Sequence, residues 1–238
     1  MRQHWANARL FDIAGPRCYL DCPLLENIDV AQIFIGFLVL LFSLTVHESA
    51  HAWAAWRLGD PTGRLLGRVS LNPAVHVDPI GTILFPLLAM VSGLPLIGWA
   101  KPVPVDILKL KHYRRDFALI AAAGPLANLL LAVVAALGVF AVRHAPLGVV
   151  GQVDVSGPLG LLLATLLRLN ILLAVFNMLP VPPLDGGNVL AGLLPDRVAN
   201  LYDLLRPYGF IILYALIFTG IFMRVVGPPY RLLVSWLL

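Results

Sequence analysis

The chain has 238 residues, of which 59% are apolar and 13% charged, with a mean hydropathy of +0.85 and a formal net charge of +4. Soluble domains carry about 25% charged and about 45–50% apolar residues, so this composition excludes a disordered chain and an ordinary soluble domain and points to one compact membrane domain. Lys and Arg gather in two loops instead of a basic arm, which argues against a nucleic-acid partner and for a part in membrane orientation.

Residues 1–29 read as a polar tail. Arg2, Arg9, Asp12, Arg17, Asp21 and Glu26 interrupt its apolar positions, so no cleavable signal peptide is expected. Cys18 and Cys22 cannot build a disulfide framework, and their C-x-x-x-C spacing is a weak metal or redox signal. The first apolar run, residues 30–56, is a membrane helix; at about 1.5 Å per residue its start lies about 26 Å from His47, close to the far edge of a hydrocarbon core of about 30 Å. Gly59-Asp60-Pro61 ends it, and the loop that follows contains a short strand at residues 68–71. Such a strand at the membrane edge would accept extended peptide backbone by β-augmentation.

Residues 80–99 are apolar but broken by Pro86, Gly93, Pro95 and Gly98, which predicts a re-entrant or bent hairpin. A basic loop follows at 100–116, with Lys101, Lys109, Lys111, Arg114 and Arg115. Residues 117–142, 157–179 and 210–226 are further spans, and 184–207 reads as an interfacial helix. The fold class is therefore an all-α polytopic membrane protein. It has about four full transmembrane helices, the apolar hairpin, a short membrane-edge strand and an interfacial helix, with residues 227–238 as an amphipathic C-terminal tail.

The informative segment is His47-Glu48-Ser49-Ala50-His51 on the first membrane helix. Spacing of i and i+4 puts both imidazoles on one face, where they can share a metal ion. Zinc in hydrolytic sites takes three protein ligands and a water whose pKa falls to about 7. Glu48, which need not bind the ion, can then move the water's proton to a leaving amine, the division of labour for peptide hydrolysis. Ionisable groups on a membrane helix cost several kcal/mol each unless paired or metal-bound, which favours this reading over polar residues that merely bond to neighbouring helices.

For the third ligand, His4, His112 and His144 lie in the tail or loops, and Asp185 in Leu184-Asp185-Gly186-Gly187 is the better candidate. Two following glycines allow close backbone approach; read alone, Asp185 could equally be a helix N-cap. If Asp185 joins His47 and His51, the chain crosses the membrane an even number of times between them, so residues 80–99 cannot fully cross. Residues 57–78 and 100–116 then share one side, which the positive-inside rule makes cytoplasmic, with the N-terminus opposite. Arg224 and Arg231 do not follow that rule.

These blocks together resemble the site-2 protease family of intramembrane zinc metalloproteases. The resemblance rests on HESAHAWAAWRLGDPTGRLLGRVSLNPAVHVDPIGT, GWAKPVPV, AAAGPLANLLLA and FNMLPVPPLDGG, which cover most of residues 36–190, and it points to the compact prokaryotic branch without PDZ or CBS domains. It implies that residues 30–226 are an intramembrane metalloprotease domain in a prokaryotic cell membrane. His47, His51 and Asp185 would bind one zinc ion per chain, Glu48 would be the catalytic base, and the substrate would be a transmembrane segment of another membrane protein. By the same analogy Asn177 holds substrate backbone or polarises the scissile carbonyl, unless it is an ordinary helix-terminal amide. In the LNPAVH block, Asn72 and His76 are candidates for positioning; His76 would stabilise an oxyanion or substrate, or make an ordinary loop hydrogen bond. Asn128 is expected to position the metal helix by an interhelical hydrogen bond, and Arg168 has no implied role. The rival readings are a zinc-handling transporter and a catalytically silent zinc scaffold; polar residues concentrated at one membrane edge disfavour the first, and Glu48 the second.

Overall fold

A computed structural model describes residues 30–92, 98–144 and 157–238. The polar tail with Cys18 and Cys22 lies outside the described residues. Three long helices form the frame: α1 (Val30–Arg57), α4 (Tyr113–His144) and α5 (Pro158–Asn177). At about 1.5 Å per residue they run about 42, 48 and 30 Å, enough to cross a hydrocarbon core. Lipid supplies no hydrophobic drive between helices, so close approach through small side chains holds them together. Ala132, Ala135 and Ala136 of α4 accordingly receive Leu167 and Ile171 of α5, while Val39 and Leu40 of α1 meet Leu169 and Leu173 of α5. Together with Asp196–Phe218, these are, among the described residues, the stretches long and apolar enough to span a membrane, so the chain is an all-α polytopic membrane protein.

Between α1 and α4 lie the short α2 (Thr62–Leu65), a π-helical turn (Pro79–Leu84) and α3 (Phe85–Ser92). Asp78 starts the turn by accepting from the backbone N–H groups of Ile80 and Gly81 at 3.0 and 2.7 Å. Beyond α3 the chain comes back to the start of this segment. Trp99 N–H donates to the Gly81 carbonyl at 3.0 Å, Thr82 Oγ1 donates to the Trp99 carbonyl at 2.8 Å, and Lys101 N–H donates to the His76 carbonyl at 2.9 Å. The bent apolar segment thus begins and ends at one place, as a hairpin must.

The two basic loops are bonded to each other as well. Asp60, fully buried, accepts from Thr62 N–H, Thr62 Oγ1 and, at 2.7 Å, Asp106 N–H, and it pairs with Lys109. Burial alone would raise the Asp60 pKa; these donors and the Lys109 charge outweigh it and hold the carboxyl below its ordinary value.

Four expectations are corrected. No strand forms at residues 68–71, nor anywhere among the described residues: the segment has no partner strand there, and its Arg68 N–H donates to the Gly63 carbonyl instead. Buried Arg68 donates to the Val75 and Lys101 carbonyls, the Ser70 carbonyl faces His76 Nε2, and Asn72 N–H donates to Ser70 Oγ. The interfacial stretch is two helices, α6 (Asp185–Leu193) and α7 (Asp196–Asp203), parted at Pro195. Residues 210–226 are not one span: α8 (Gly209–Phe218) stops, Gly220 takes a left-handed φ of 73°, and α9 (Ile221–Leu237) sets off anew. Hydropathy runs through this point unchanged, but Thr219 N–H and Gly220 N–H close back on Ala215 and Ile217, a glycine-terminated helix end. Residues 227–238, expected as a tail, continue α9, which lies antiparallel against α5: Phe222 meets Phe176 and Tyr230 packs on Leu167 and Ile171.

Candidate metal centre

His47 and His51 stand one turn apart on the buried face of α1, directed at α4. Each imidazole is held by its Nδ1. His47 Nδ1 lies 2.6 Å from Asn128 Oδ1, and His51 Nδ1 lies 2.7 Å from the backbone carbonyl of Ile120. Both partners are acceptors, so each ring carries a proton on Nδ1, and in the neutral rings both Nε2 atoms present lone pairs. Those two Nε2 atoms are 3.0 Å apart, and Asp185 Oδ2 lies 3.1 Å from one and 3.4 Å from the other.

The backbone around the site is shaped by glycine. Gly124 of α4 forms a wall: a Cβ there would stand 2.5 Å from His51 Nε2 and 2.6 Å from His47 Nε2. Asp185 arrives on the turn after α5, closed by Val181 N–H to the Leu179 carbonyl and Leu184 N–H to the Val181 carbonyl. A Cβ on Gly186 would collide with the carbonyls of Met178 and Leu179, and one on Gly187 would stand 2.8 Å from the Tyr202 hydroxyl. Asp185 is not the N-cap of α6; that position is Leu184, without a side-chain cap bond. Its carboxylate is free to turn toward the histidines.

With both rings neutral, three lone-pair atoms therefore converge. Such a set is repulsive unless a cation lies among them, and its spacing suits one: a tetrahedral zinc ion with bonds of about 2.0–2.1 Å holds its ligand atoms about 3.3–3.4 Å apart. Imidazole and carboxylate are also the donor types zinc takes, so the residues present fit the ion.

Glu48 is half-buried on α1, within electrostatic reach of His51 and His76, and makes no hydrogen bond or ion pair among the described residues. His76 is only 2% exposed; its Nε2 faces the Ser70 carbonyl at 3.0 Å, and its Nδ1 is buried without a partner among the described residues. Burial lowers the His76 pKa, Arg68 adds to that, and the Ser70 bond and Glu48 only partly offset it. His76 is thus a neutral imidazole with a proton on Nε2 and a lone pair on Nδ1. Asn128 is fully buried and bridges α4 to the metal helix. Asn177 ends α5 with its Nδ2 donating to the Leu173 carbonyl at 3.0 Å, as a helix-terminal amide does. Asn72 is exposed and caps the Pro73–Val75 turn through Ala74 N–H. Sequence reasoning passed over Ser43 and Asn170, although an amide in the middle of an apolar span is a visible signal.

Residues 35–218 match peptidase family M50. The chain is 37% identical over 193 residues to YwhC of Bacillus subtilis (strain 168), a zinc metalloprotease by name, covering 80% of this chain and 83% of that protein. It is 30% identical over 192 residues to Rip2 of Mycolicibacterium smegmatis (strain ATCC 700084 / mc(2)155), across 78% of this chain and 69% of the relative. With Rip2 of Mycobacterium tuberculosis (strain ATCC 25618 / H37Rv) the identity is 31% over 176 residues, 73% of this chain and 63% of the other. No solved structure matches the chain.

Proposed function

The chain belongs to peptidase family M50, the site-2 protease family, and from that premise we propose that it is an intramembrane zinc endopeptidase cleaving in or near transmembrane segments of partner membrane proteins. The observation that carries the reading is the meeting of three bare ligand atoms, from His47, His51 and Asp185, beside an unpartnered carboxylate. Those three residues would hold one zinc ion, which supplies Lewis-acid polarisation of a carbonyl and an acidified water.

Glu48 takes the proton of the attacking water on its carboxylate and delivers it to the amine nitrogen as the peptide bond breaks. None of the described residues competes for that carboxylate, and the ligand set does not require it, which separates hydrolysis from zinc storage. His51 is oriented by the Ile120 carbonyl and His47 by Asn128, so the ligands need not reorganise when the site is filled. An oxyanion needs a donor, whereas the free nitrogen of His76 is an acceptor; His76 Nδ1 therefore suits a substrate backbone N–H. The remaining lone-pair oxygen of Asn177 suits the same kind of contact. The hydrophobic bulk of the chain limits access of bulk water, and the positive charge of the two basic loops favours a site on the cytoplasmic side.

The test compares fragments of membrane proteins in cells carrying the wild type or Glu48→Gln, with zinc measured on both purified proteins. Glu48→Gln is expected to keep zinc and lose cleavage, by at least about 10²-fold for a lost proton-transfer group. Undiminished cleavage by Glu48→Gln would reject the mechanism.

A further inference from the structure

Behind His47 a chain of side chains runs away from the site through three helices. Asn128 of α4 takes the His47 Nδ1 proton on Oδ1 and donates from Nδ2 to Asn170 Oδ1 at 2.7 Å. Asn170 of α5 in turn donates from Nδ2 to the Leu166 carbonyl at 2.8 Å and to Ser43 Oγ at 2.9 Å. Both amides are 0% exposed. An amide side chain has one accepting end and one donating end of almost the same shape, so each could in principle sit either way round. The direction decides whether the site works. If Asn128 turned its NH₂ toward His47, Nδ1 would become the acceptor, the proton would move to Nε2, and the atom that faces Asp185 would have no lone pair to offer.

The direction is set at the far end of the chain. The Leu166 carbonyl can only accept, so Asn170 must point its NH₂ at it, which leaves Oδ1 facing Asn128. Asn128 must answer with its own NH₂, which leaves Oδ1 facing His47. A second acceptor, the Ser43 carbonyl, lies 3.4 Å from Asn128 Nδ2, at the weak limit of a hydrogen bond. The short bond to Asn170 is the dominant constraint. His51 needs no such relay, because the Ile120 carbonyl holds its Nδ1 proton directly.

We infer that Asn170 is a positioning residue for the metal centre: through Asn128 it fixes the polarity of the buried amide chain and so holds His47 in the tautomer whose Nε2 can bind a metal. This rests on the zinc reading of the site but is separable from it, because the tautomer exists in metal-free protein.

The experiment uses the full chain in detergent, with Asn170→Leu, which is similar in size and without polar ends, and Ser43→Ala, which removes only the hydroxyl and keeps the backbone carbonyl. Zinc affinity is read by competition with a fluorescent chelator, and the imidazole tautomers by ¹⁵N NMR of histidine-labelled metal-free protein. Asn170→Leu is expected to bind zinc about 10–100-fold more weakly, with His47 divided between tautomers and His51 unchanged, while Ser43→Ala matches the wild type. Should Asn170→Leu fail to fold, Asn170→Ser still bonds the Leu166 carbonyl but is too short for Asn128, and the same readings are expected of it. Wild-type zinc affinity in the Asn170 variants would overturn the inference. So would weakened affinity with the His47 tautomer intact, or an equal loss in Ser43→Ala. If the wild type itself binds no zinc, the metal reading falls, and the NMR result alone decides the role of Asn170.

Discussion

His76 shows how one side chain carries both structure and a testable pH response. Its folded pKa is lowered, so the folded chain binds this proton less readily than the unfolded chain, whose histidine titrates near the ordinary value of about 6.5. Stability from His76 is therefore complete above about pH 6.5 and declines as the pH falls beneath that value toward the folded pKa. Melting curves of the zinc-loaded protein in detergent should show the wild type losing stability below about pH 6.5 more steeply than His76→Gln. Parallel pH profiles for the two would show that His76 is not buried as a neutral group. At this scale much of the site was legible in the sequence. His47 and His51 stand about one helical turn apart, so helix geometry alone puts the two imidazoles on one face, with Glu48 next to the first. The polarity of Asn128 was not legible, because it depends on Asn170, 42 residues away.

Among the elements, the hairpin illustrates how composition signals a break without describing its closure. The prolines and glycines of residues 80–99 rule out a straight span, but what closes the hairpin is the pairing of Gly81 with Trp99. A Cβ on Gly81 would fall into the Trp99 indole, so Gly81→Ala should lower stability by about 1–3 kcal/mol, the usual cost of overpacking. Thermal unfolding should show a much smaller effect of Gly81→Ala in a Trp99→Ala background, since the obstacle is then gone. Equal costs in both backgrounds would mean that the indole is not what the added methyl meets. The α8–α9 break was harder to see, because Thr219 and Gly220 interrupt hydropathy so little. The absent strand at residues 68–71 has the opposite cause: the local sequence permits extended backbone, but a strand needs a partner, and here the Arg68 N–H donates to the Gly63 carbonyl and the Ser70 carbonyl faces His76 Nε2.

For the whole molecule the decisive contacts are those that tie the two basic loops together. Asp60 to Asp106, Asp60 to Lys109 and His76 to Lys101 join residues 57–78 to 100–116, so both loops occupy one side of the helix frame. With positive charge favouring the cytoplasm, single cysteines placed at the exposed positions Leu65 and Leu108, in a chain with Cys18 and Cys22 replaced, should both be shielded from a membrane-impermeant thiol reagent in intact cells and react after lysis. Labelling of either in intact cells would overturn the orientation. The sequence by itself determined the solvent this chain lives in, the three long apolar helices of its frame, and the pair of histidines with their glutamate, because composition and helical spacing are local properties. Only the tertiary structure decided that Asp185 meets the histidines, that the apolar hairpin closes on itself, that α9 packs as part of the bundle, and that a buried amide chain orients His47. Each of these depends on residues far apart in the chain whose contacts exist only once α1, α4 and α5 have packed.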